Sequence, residues 1–282
     1  MTLATLTDVL RPDDPAGAVA AFNVIQIEHA EAYAAAAAHT NLPVVMQISQ
    51  NAVRYHGALA PIAAATLAVA RACPQPVVVH LDHAEDEDLV REAVDLGLTS
   101  VMYDGSKLPD DENRAATQRV VQACHAAGVS VEAELGEVGG KDGVHAPGVR
   151  TDPADAAQFV ADTGVDALAV AVGSSHAMTA RTAELDVGLI ARIRDAVPVP
   201  LVLHGSSGVP DQGLVAAVRA GMRKVNIATH LNQVFTEAMQ VSLRERPSVD
   251  TRRYLGAGRD AVTQEASRLQ QLLALEPTSL VE

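Results

Sequence analysis

Short apolar runs rich in valine alternate with longer, alanine-rich runs along most of this chain. An apolar run of roughly four to eight residues between turn residues is typical of a buried strand. A longer run with apolar residues spaced three and four apart is typical of a helix. The sequence therefore predicts eight strands, near residues 18–23, 43–49, 76–81, 99–103, 129–134, 166–172, 200–204 and 223–227.

Helical runs lie between the predicted strands, and several begin with aspartate or end with glycine, which favour helix starts and helix ends. Examples are IEHAEAYAAAAAHT, DEDLVREAVDLG, DPADAAQFVADTG and DQGLVAAVRAG. Alternation of strand and helix predicts parallel βα units, and eight units favour a closed (β/α)8 TIM barrel; a doubly wound open sheet is the alternative. We expect one barrel domain over residues 1–282, with 256–282 as a C-terminal helical extension whose helix lies near 256–273.

Three histidines occur where apolar runs give way to small and polar residues. The runs are PVVVHLDHAED, ALAVAVGSSHA and VPLVLHGSSGVP, and the histidines are His83, His176 and His204. In a parallel α/β fold, the chemistry takes place where the carboxyl ends of the strands meet. Imidazole is the commonest metal ligand, and three protein ligands with an open position are typical of a catalytic zinc. The residues thus predict a metal held by three strand ends, with Asp82 beside it as a general acid/base.

Two further regions carry polar groups at predicted strand ends. Glu132 and Glu134 point to the same face of their strand, and two carboxylates in a barrel mouth need a cation or hydrogen-bond donors. The glycine-rich, charged loop that follows them is expected to act as a lid. Segments 204–210 and 224–230 lead from the last two strands into helices, where backbone N–H groups often bind phosphate in barrels.

The amino-acid composition limits the classes of protein to which this chain can belong. Hydrophobic residues make up 48% of the chain but aromatic residues only 2%, so an aliphatic core is expected. The formal net charge of −14 argues against a nucleic-acid partner. Cys73 and Cys124 lie outside any C-x-x-C pair and are expected to be inert thiols. No signal peptide or membrane span is evident, so we expect no membrane partner and a cytoplasmic location.

Six motifs in this order strongly resemble one family. They are HLDH, VMYDGS, EAELG-x-x-GG, VGSSH, LHGSSGV and KVNIAT, and the likeness extends from about Ala21 to about Val262. The family is that of the class II, zinc-dependent fructose-bisphosphate and tagatose-bisphosphate aldolases. The resemblance implies a (β/α)8 barrel, a catalytic divalent metal and phosphorylated ketose substrates.

The resemblance also implies roles for individual residues near the metal. Asp82 matches the acid/base that handles the proton of the C4 hydroxyl, and Glu134 matches an acidic residue that can serve as an alternative metal ligand. Asp142 is the candidate for the loop acid that moves a second proton, although the loop here is shorter than is usual. The positions that match the zinc ligands are His83, His176 and His204.

Further positions match the substrate-binding residues of the family. Asn23 and Ser49 match polar positions on the substrate side, and Arg252 matches an arginine that reaches the second phosphate across a subunit contact in some members. The segments that hold the phosphate of the dihydroxyacetone-phosphate half contain Gly173, Gly205, Ser207, Asn226 and Thr229.

Three positions depart from the family pattern. Ala177 and Met178 stand where the family usually has glycine and tyrosine after the second zinc histidine. Ala228 occupies a position that is aspartate or asparagine in many fructose-type members, and alanine there favours the tagatose-type branch.

The resemblance implies a lyase of carbohydrate metabolism, in or near glycolysis. It would cleave a ketose (bis)phosphate of the fructose- or tagatose-1,6-bisphosphate type to dihydroxyacetone phosphate and an aldehyde, by retro-aldol chemistry through a zinc-stabilised ene-diolate. A homodimer or homotetramer with Zn²⁺, and with room for a monovalent cation, is the expected assembly. Two alternatives stay open: an aldolase for a deoxy- or acid-sugar phosphate, and a non-catalytic barrel that binds phosphosugars.

Overall fold

The backbone forms a closed barrel of eight parallel strands. The structure is a computed structural model that describes residues 3–12, 17–135, 150–176 and 178–275. Each strand pairs with its neighbours in sequence, and β1 pairs with β8 to close the ring. The predicted TIM barrel is therefore confirmed, and every strand overlaps its predicted range. The strands are β1 Val19–Asn23, β2 Val44–Ser49, β3 Val77–Ala84, β4 Ser100–Tyr103, β5 Ser130–Leu135, β6 Ala167–Val170, β7 Leu201–Leu203 and β8 Met222–Ile227.

Helices cover the outside of the barrel, and most of them follow a strand directly. Aspartate caps and glycine ends occur as predicted: the Asp86 side chain caps one helix start, and Gly97 ends that helix with a φ of 89°. In the described residues the helices are α1 Leu6–Val9, α2 Ile27–Thr40, α3 Gln50–His56, α4 Ala60–Ala72, α5 Glu87–Leu96, α6 Asp110–Ala126, α7 Pro153–Thr163, α8 Val187–Ala196, α9 Asp211–Ala220, α10 Thr229–Glu245 and α11 Thr251–Leu273, with a 3-10 turn at Ser206–Gly208.

The C-terminal helix α11 begins earlier than predicted. It starts at Thr251 instead of near residue 256, because the Asp250 carboxylate accepts a hydrogen bond from the backbone N–H of Arg252 and caps the helix there. Gly258 lies inside the helix and leaves room for a ring: a Cβ there would be 2.8 Å from Phe235. Residues 276–282 of the predicted extension lie outside the described residues.

The interior of the barrel is layered along its axis. Gln47 and His80 follow the inward-facing Val45 and Val78 by two residues, so they point inward as well. A buried polar layer consequently separates an apolar floor from the mouth of the barrel. The floor is closed by α1 and is built from small side chains, among them Ala21, Val45, Val78, Ala167, Ala169 and Val202.

The remaining core agrees with the composition. Alanine, valine, leucine and isoleucine supply most of the buried apolar side chains between the strands and the helices. Cys73 and Cys124 are buried and are not joined by a disulfide. Among the helices that the structure describes, none combines the length and the apolar run that a membrane crossing needs.

Candidate active site

A cleft of about 300 Å³ opens where the carboxyl ends of the strands meet. A pocket at this face is the usual position of an active site in this fold. Its lining contains nine of the residues that were predicted from sequence to belong to the site. These residues come from strand ends that are far apart in the sequence. They are Asn23, Ser49, Asp82, His83, His176, Gly205, Ser207, Asn226 and Thr229.

Asp82 and His83 are neighbours in sequence, and both line the cleft. In regular strand geometry adjacent side chains point to opposite faces. Two features change this: the pairing of β3 with β4 shifts register between Leu81 and Ala84, and His83 adopts a left-handed backbone with a φ of 53°. β3 was predicted to end at residue 81 but continues to Ala84 through this irregularity. The local distortion places a carboxylate and an imidazole side by side.

The three predicted metal-binding histidines converge. The ring centroid of His83 lies 5.2 Å from that of His176 and 4.7 Å from that of His204, and the last two centroids are 5.7 Å apart. One candidate ligand atom from each ring and one carboxylate oxygen of Glu134 lie within 4.8 Å of one another. The arrangement brings four donors from four separate segments around one point.

Buried carboxylates orient two of these rings. Asp104 Oδ2 lies 2.9 Å from Nδ1 of His83, and Glu132 Oε1 lies 2.9 Å from Nε2 of His204. An ionised carboxylate only accepts hydrogen bonds, so each of these nitrogens donates its N–H. The opposite nitrogens, Nε2 of His83 and Nδ1 of His204, are thereby left to act as ligands.

The donor set fits a divalent metal. Nδ1 of His204 is buried, makes no hydrogen bond to the described residues and lies 3.2 Å from Glu134 Oε2. Burial alone would lower the pKa of His204, but the Glu132 and Glu134 carboxylates raise it to about 9. A proton and a metal ion therefore compete for the same nitrogen. Three imidazoles and a carboxylate are ligands that zinc commonly takes in catalytic sites.

One carboxylate oxygen of Asp82 accepts a hydrogen bond, and the other accepts none from the described residues. Its Oδ2 accepts a hydrogen bond of 3.2 Å from Nδ2 of Asn23, whose Oδ1 accepts one of 3.1 Å from Nε2 of Gln47. Its Oδ1 makes no hydrogen bond to the described residues. Burial would raise the pKa of the Asp82 carboxyl, but positive charge on His83 and His204 lowers it to about 2. The side chain is therefore an oriented carboxylate, and its Oδ1, which has no hydrogen bond among the described residues, lies 3.9 Å from Nε2 of His83.

The opposite side of the cleft offers groups for an anion. Oγ of Ser207 accepts hydrogen bonds of 3.3 Å from the backbone N–H groups of Ala228 and His230 at the start of α10. The neighbouring Thr229 begins that helix, and Asn226 Oδ1 is buried without a hydrogen bond among the described residues. A helix N-terminus with hydroxyl and amide groups is suited to phosphate.

Gly205 is required by this geometry, and its replacement tests the anion side. We expect Gly205→Ala to lower kcat/KM by about 10²-fold, since a Cβ would lie 2.6 Å from the backbone carbon of Ser175 and displace the adjacent His176. Steady-state kinetics measure this. Gly128→Ala is the matched control: its φ of 73° is similar to the 65° of Gly205, but nothing lies within 4 Å of the added Cβ. Equal kinetics of the two variants would contradict the assignment.

Among the described residues, four predicted site residues are not in the cleft lining. Gly173 lies in the loop after β6 with a φ of 125°, and Glu134 and His204 are buried behind the lining. Arg252 is exposed, with 88% of its side chain accessible, and is paired with Asp250. Its predicted role concerns a neighbouring subunit and stays a prediction. Asp142, the lid loop and Ala177 lie outside the described residues.

Sequence reasoning missed the wall formed by α3. This short helix starts at the cap Ser49, ends at Gly57 and carries Gln50, Asn51 and Arg54 into the lining. Gln50 Oε1 also accepts a hydrogen bond of 2.9 Å from the backbone N–H of Glu85, which ties the helix to the end of β3. The polar run SQNAVR after β2 was the available signal.

The chain is similar to known proteins over most of its length. The chain matches the family described as "Fructose-bisphosphate aldolase class-II" over residues 11–276. It is 39% identical over 250 residues to a fructose-bisphosphate aldolase of Geobacillus stearothermophilus, with 87% of each chain covered. A fructose-bisphosphate aldolase of Giardia intestinalis is 37% identical over 273 residues, covering 87% of this chain and 84% of the other. The crystal structure of the YdjI aldolase from Escherichia coli K12 superposes with a TM-score of 0.83 at 31% identity, covering 96% and 97% of the two chains.

Proposed function

Because the chain belongs to the class-II fructose-bisphosphate aldolases, a family of aldehyde-lyases, we propose that it cleaves a ketose bisphosphate with the help of bound zinc. The substrate would be of the fructose- or tagatose-1,6-bisphosphate type, and the products dihydroxyacetone phosphate and a phosphorylated aldehyde. The observation that carries this proposal is the convergence of three imidazoles, two of which line the cleft together with Asp82.

The metal would be held by His83, His176 and His204, with Glu134 as an alternative ligand. When bound, zinc supplies Lewis-acid chemistry: it polarises the carbonyl of the ketose and stabilises the negative charge that develops as the carbon–carbon bond breaks. Asp104 and Glu132 keep two of the rings in the tautomers that this requires.

Asp82 would act as the base. Its Oδ1 takes the proton of the C4 hydroxyl, the C4–O bond becomes the carbonyl of the aldehyde, and the electron pair of the C3–C4 bond moves to the dihydroxyacetone-phosphate half. A proton then returns to C3, and Asp142 stays the proposed donor for that step. Asn23 and Gln47 keep the carboxylate turned toward the substrate.

The phosphate of the dihydroxyacetone half would bind at the start of α10. Ser207, Asn226 and Thr229 surround this helix end, and Gly205 leaves space for the backbone of Ser175. Binding here would fix the C1 end of the sugar, so that C3 and C4 lie between the histidines and Asp82.

A second candidate is supported by one residue. Ala228 lies in the cleft lining, and alanine at this position favoured the tagatose-type branch in the sequence. The relatives from Geobacillus stearothermophilus and Giardia intestinalis are named fructose-bisphosphate aldolases, which supports the fructose type. The two sugars differ only in the orientation of the C4 hydroxyl, the group that Asp82 would deprotonate.

A cleavage panel tests the proposal. Zinc-loaded protein would be assayed with fructose 1,6-bisphosphate, tagatose 1,6-bisphosphate and deoxygluconate phosphate, with triose phosphate as the product measured. We expect one of the two bisphosphates to give a kcat/KM at least about tenfold above the others. Cleavage of deoxygluconate phosphate alone would replace the proposed substrate class, and no cleavage of any of them would contradict the aldolase assignment.

The location, the oligomeric state and a further cation are proposed from the resemblance to the aldolase family. We propose a cytoplasmic homodimer or homotetramer in which Arg252, exposed on one subunit, serves the site of another, with a monovalent cation as a further ligand of the phosphate region. Sedimentation analysis together with kinetics of Arg252→Ala would test this assembly.

A further inference from the structure

A lysine is buried in the polar layer below the cleft. The side chain of Lys224, on β8, is 0% exposed, and its Nζ lies 2.8 Å from Oε2 of Glu132, which is also 0% exposed. Removing two charges from water costs several kcal/mol per ion, and apolar residues often replace such pairs without loss of stability. The barrel floor just below is in fact filled by apolar side chains. Stability alone is therefore a poor explanation for this ion pair.

Glu132 connects the lysine to a predicted metal ligand. Its two oxygens have different partners. Oε2 faces Lys224, and Oε1 accepts a hydrogen bond of 2.9 Å from Nε2 of His204. That bond leaves Nδ1 of His204 on the side of Glu134 and the other two histidines. The orientation of the ring thus depends on where the acceptor oxygen of Glu132 is held.

Lys224 is the cation that holds the Glu132 side chain in place, with Nζ 2.8 Å from Oε2. Burial alone would raise the pKa of the Glu132 carboxyl, but the Lys224 ammonium and the His204 hydrogen bond hold it well below its usual range. The other basic group nearby, His80, has its Nε2 3.9 Å from Oε2 of Glu132 and its Nδ1 2.8 Å from Oγ of Ser100. Burial lowers the pKa of His80 to about 3, so this ring is neutral and adds no positive charge.

We propose that Lys224 is a positioning residue that sets the metal affinity of the site through Glu132 and His204. Nζ of Lys224 fixes the Glu132 side chain at Oε2, Oε1 of Glu132 holds the His204 ring so that Nδ1 faces the other proposed ligands, and the ring is ready to bind zinc without reorganisation. This inference rests on the proposed zinc-dependent function. A lysine that only supports the barrel would affect folding stability and leave zinc affinity unchanged.

The test compares zinc affinities of variants by competition with a chromophoric chelator. We expect Lys224→Met to raise the zinc dissociation constant by about 10- to 100-fold, the range typical of changes behind a metal ligand. In the metal-free protein at a pH above the His204 pKa of about 9, the ¹⁵N shifts of His204 are expected to lose the signature of a single preferred N–H position. Lys107→Met is the matched control, since it removes the same charge from a side chain that is 46% exposed and paired with Glu85. Its zinc affinity is expected to equal that of the wild type.

A double variant provides a second test in case Lys224→Met does not fold. In Glu132→Gln with Lys224→Met, the amide oxygen can still accept from His204, and no unpaired charge is buried. We expect it to recover the melting temperature of the wild type but to bind zinc about tenfold more weakly, because the carboxylate that strengthens the ring as a ligand is absent.

Two results would overturn the inference. One is a Lys224→Met protein with a lowered melting temperature and wild-type zinc affinity. The other, decisive if that variant does not fold, is a double variant with wild-type zinc affinity. Zinc binding is measured without substrate. If the cleavage panel failed while these affinities were as expected, the result would contradict the proposed function and leave the role of Lys224 in zinc binding intact.

Discussion

Replacing Asp82 with asparagine is expected to lower kcat by about 10²- to 10⁴-fold, the usual contribution of a general acid/base, while the zinc content stays that of the wild type. The amide cannot take the proton of the C4 hydroxyl, but it has the size of the carboxylate and can still accept the hydrogen bond from Asn23. Single-turnover cleavage of the preferred bisphosphate and metal analysis of the same sample measure both quantities.

The control is an aspartate a few residues away. Asp88 lies at the start of α5, is 77% exposed and is ion-paired with Arg91, so Asp88→Asn makes the same change of charge outside the cleft. We expect wild-type kinetics from it. If Asp82→Asn retained kcat within about tenfold of the wild type, the role of Asp82 as the base would be wrong.

Removal of the metal is expected to abolish cleavage, with a loss of about 10³-fold or more. A Lewis acid contributes several kcal/mol to stabilising the charge that develops, and 1.36 kcal/mol corresponds to about a factor of ten. The measurement is activity after dialysis against a chelator, with residual metal determined in the same sample, followed by recovery on addition of zinc.

Histidine variants separate loss of the metal from damage by the chelator. His176→Ala removes one candidate ligand at the cleft and is expected to behave like the metal-free enzyme even with zinc in excess. His39→Ala, on the exposed face of α2, is expected to behave like the wild type. Full turnover by a protein with verified absence of metal would exclude the metal-dependent scheme.

The architecture could be predicted because both faces of each strand are buried. A parallel strand covered inside and outside must be almost wholly apolar, and runs such as PVVVH and VPLVL show this without any partner sequence. The helix caps gave the boundaries between units, as at Asp86 and Gly97. The start of α11 was placed too late because the residues after the Asp250 cap are polar and charged and show no apolar periodicity.

The histidines could be predicted as a set, but not their geometry. Nothing in the residue pattern specifies the shift between β3 and β4 or the left-handed backbone of His83, which together turn two adjacent side chains to the same cleft. These features depend on pairing with a neighbouring strand, which is a long-range interaction. Sequence order likewise does not reveal that Glu132 and Lys224, 92 positions apart, meet inside the barrel.

Helix α3 has a consequence for how the substrate range of such an enzyme can change. It is a seven-residue segment with its own cap and its own glycine end, and it lies outside the hydrogen-bonded ring of strands. Through Gln50 it is joined to the end of β3, and Asn51 and Arg54 line the cleft. Libraries randomised at Asn51 and Arg54 alone are therefore expected to change which aldehyde the proposed aldolase accepts in synthesis, without altering the histidines proposed to bind zinc.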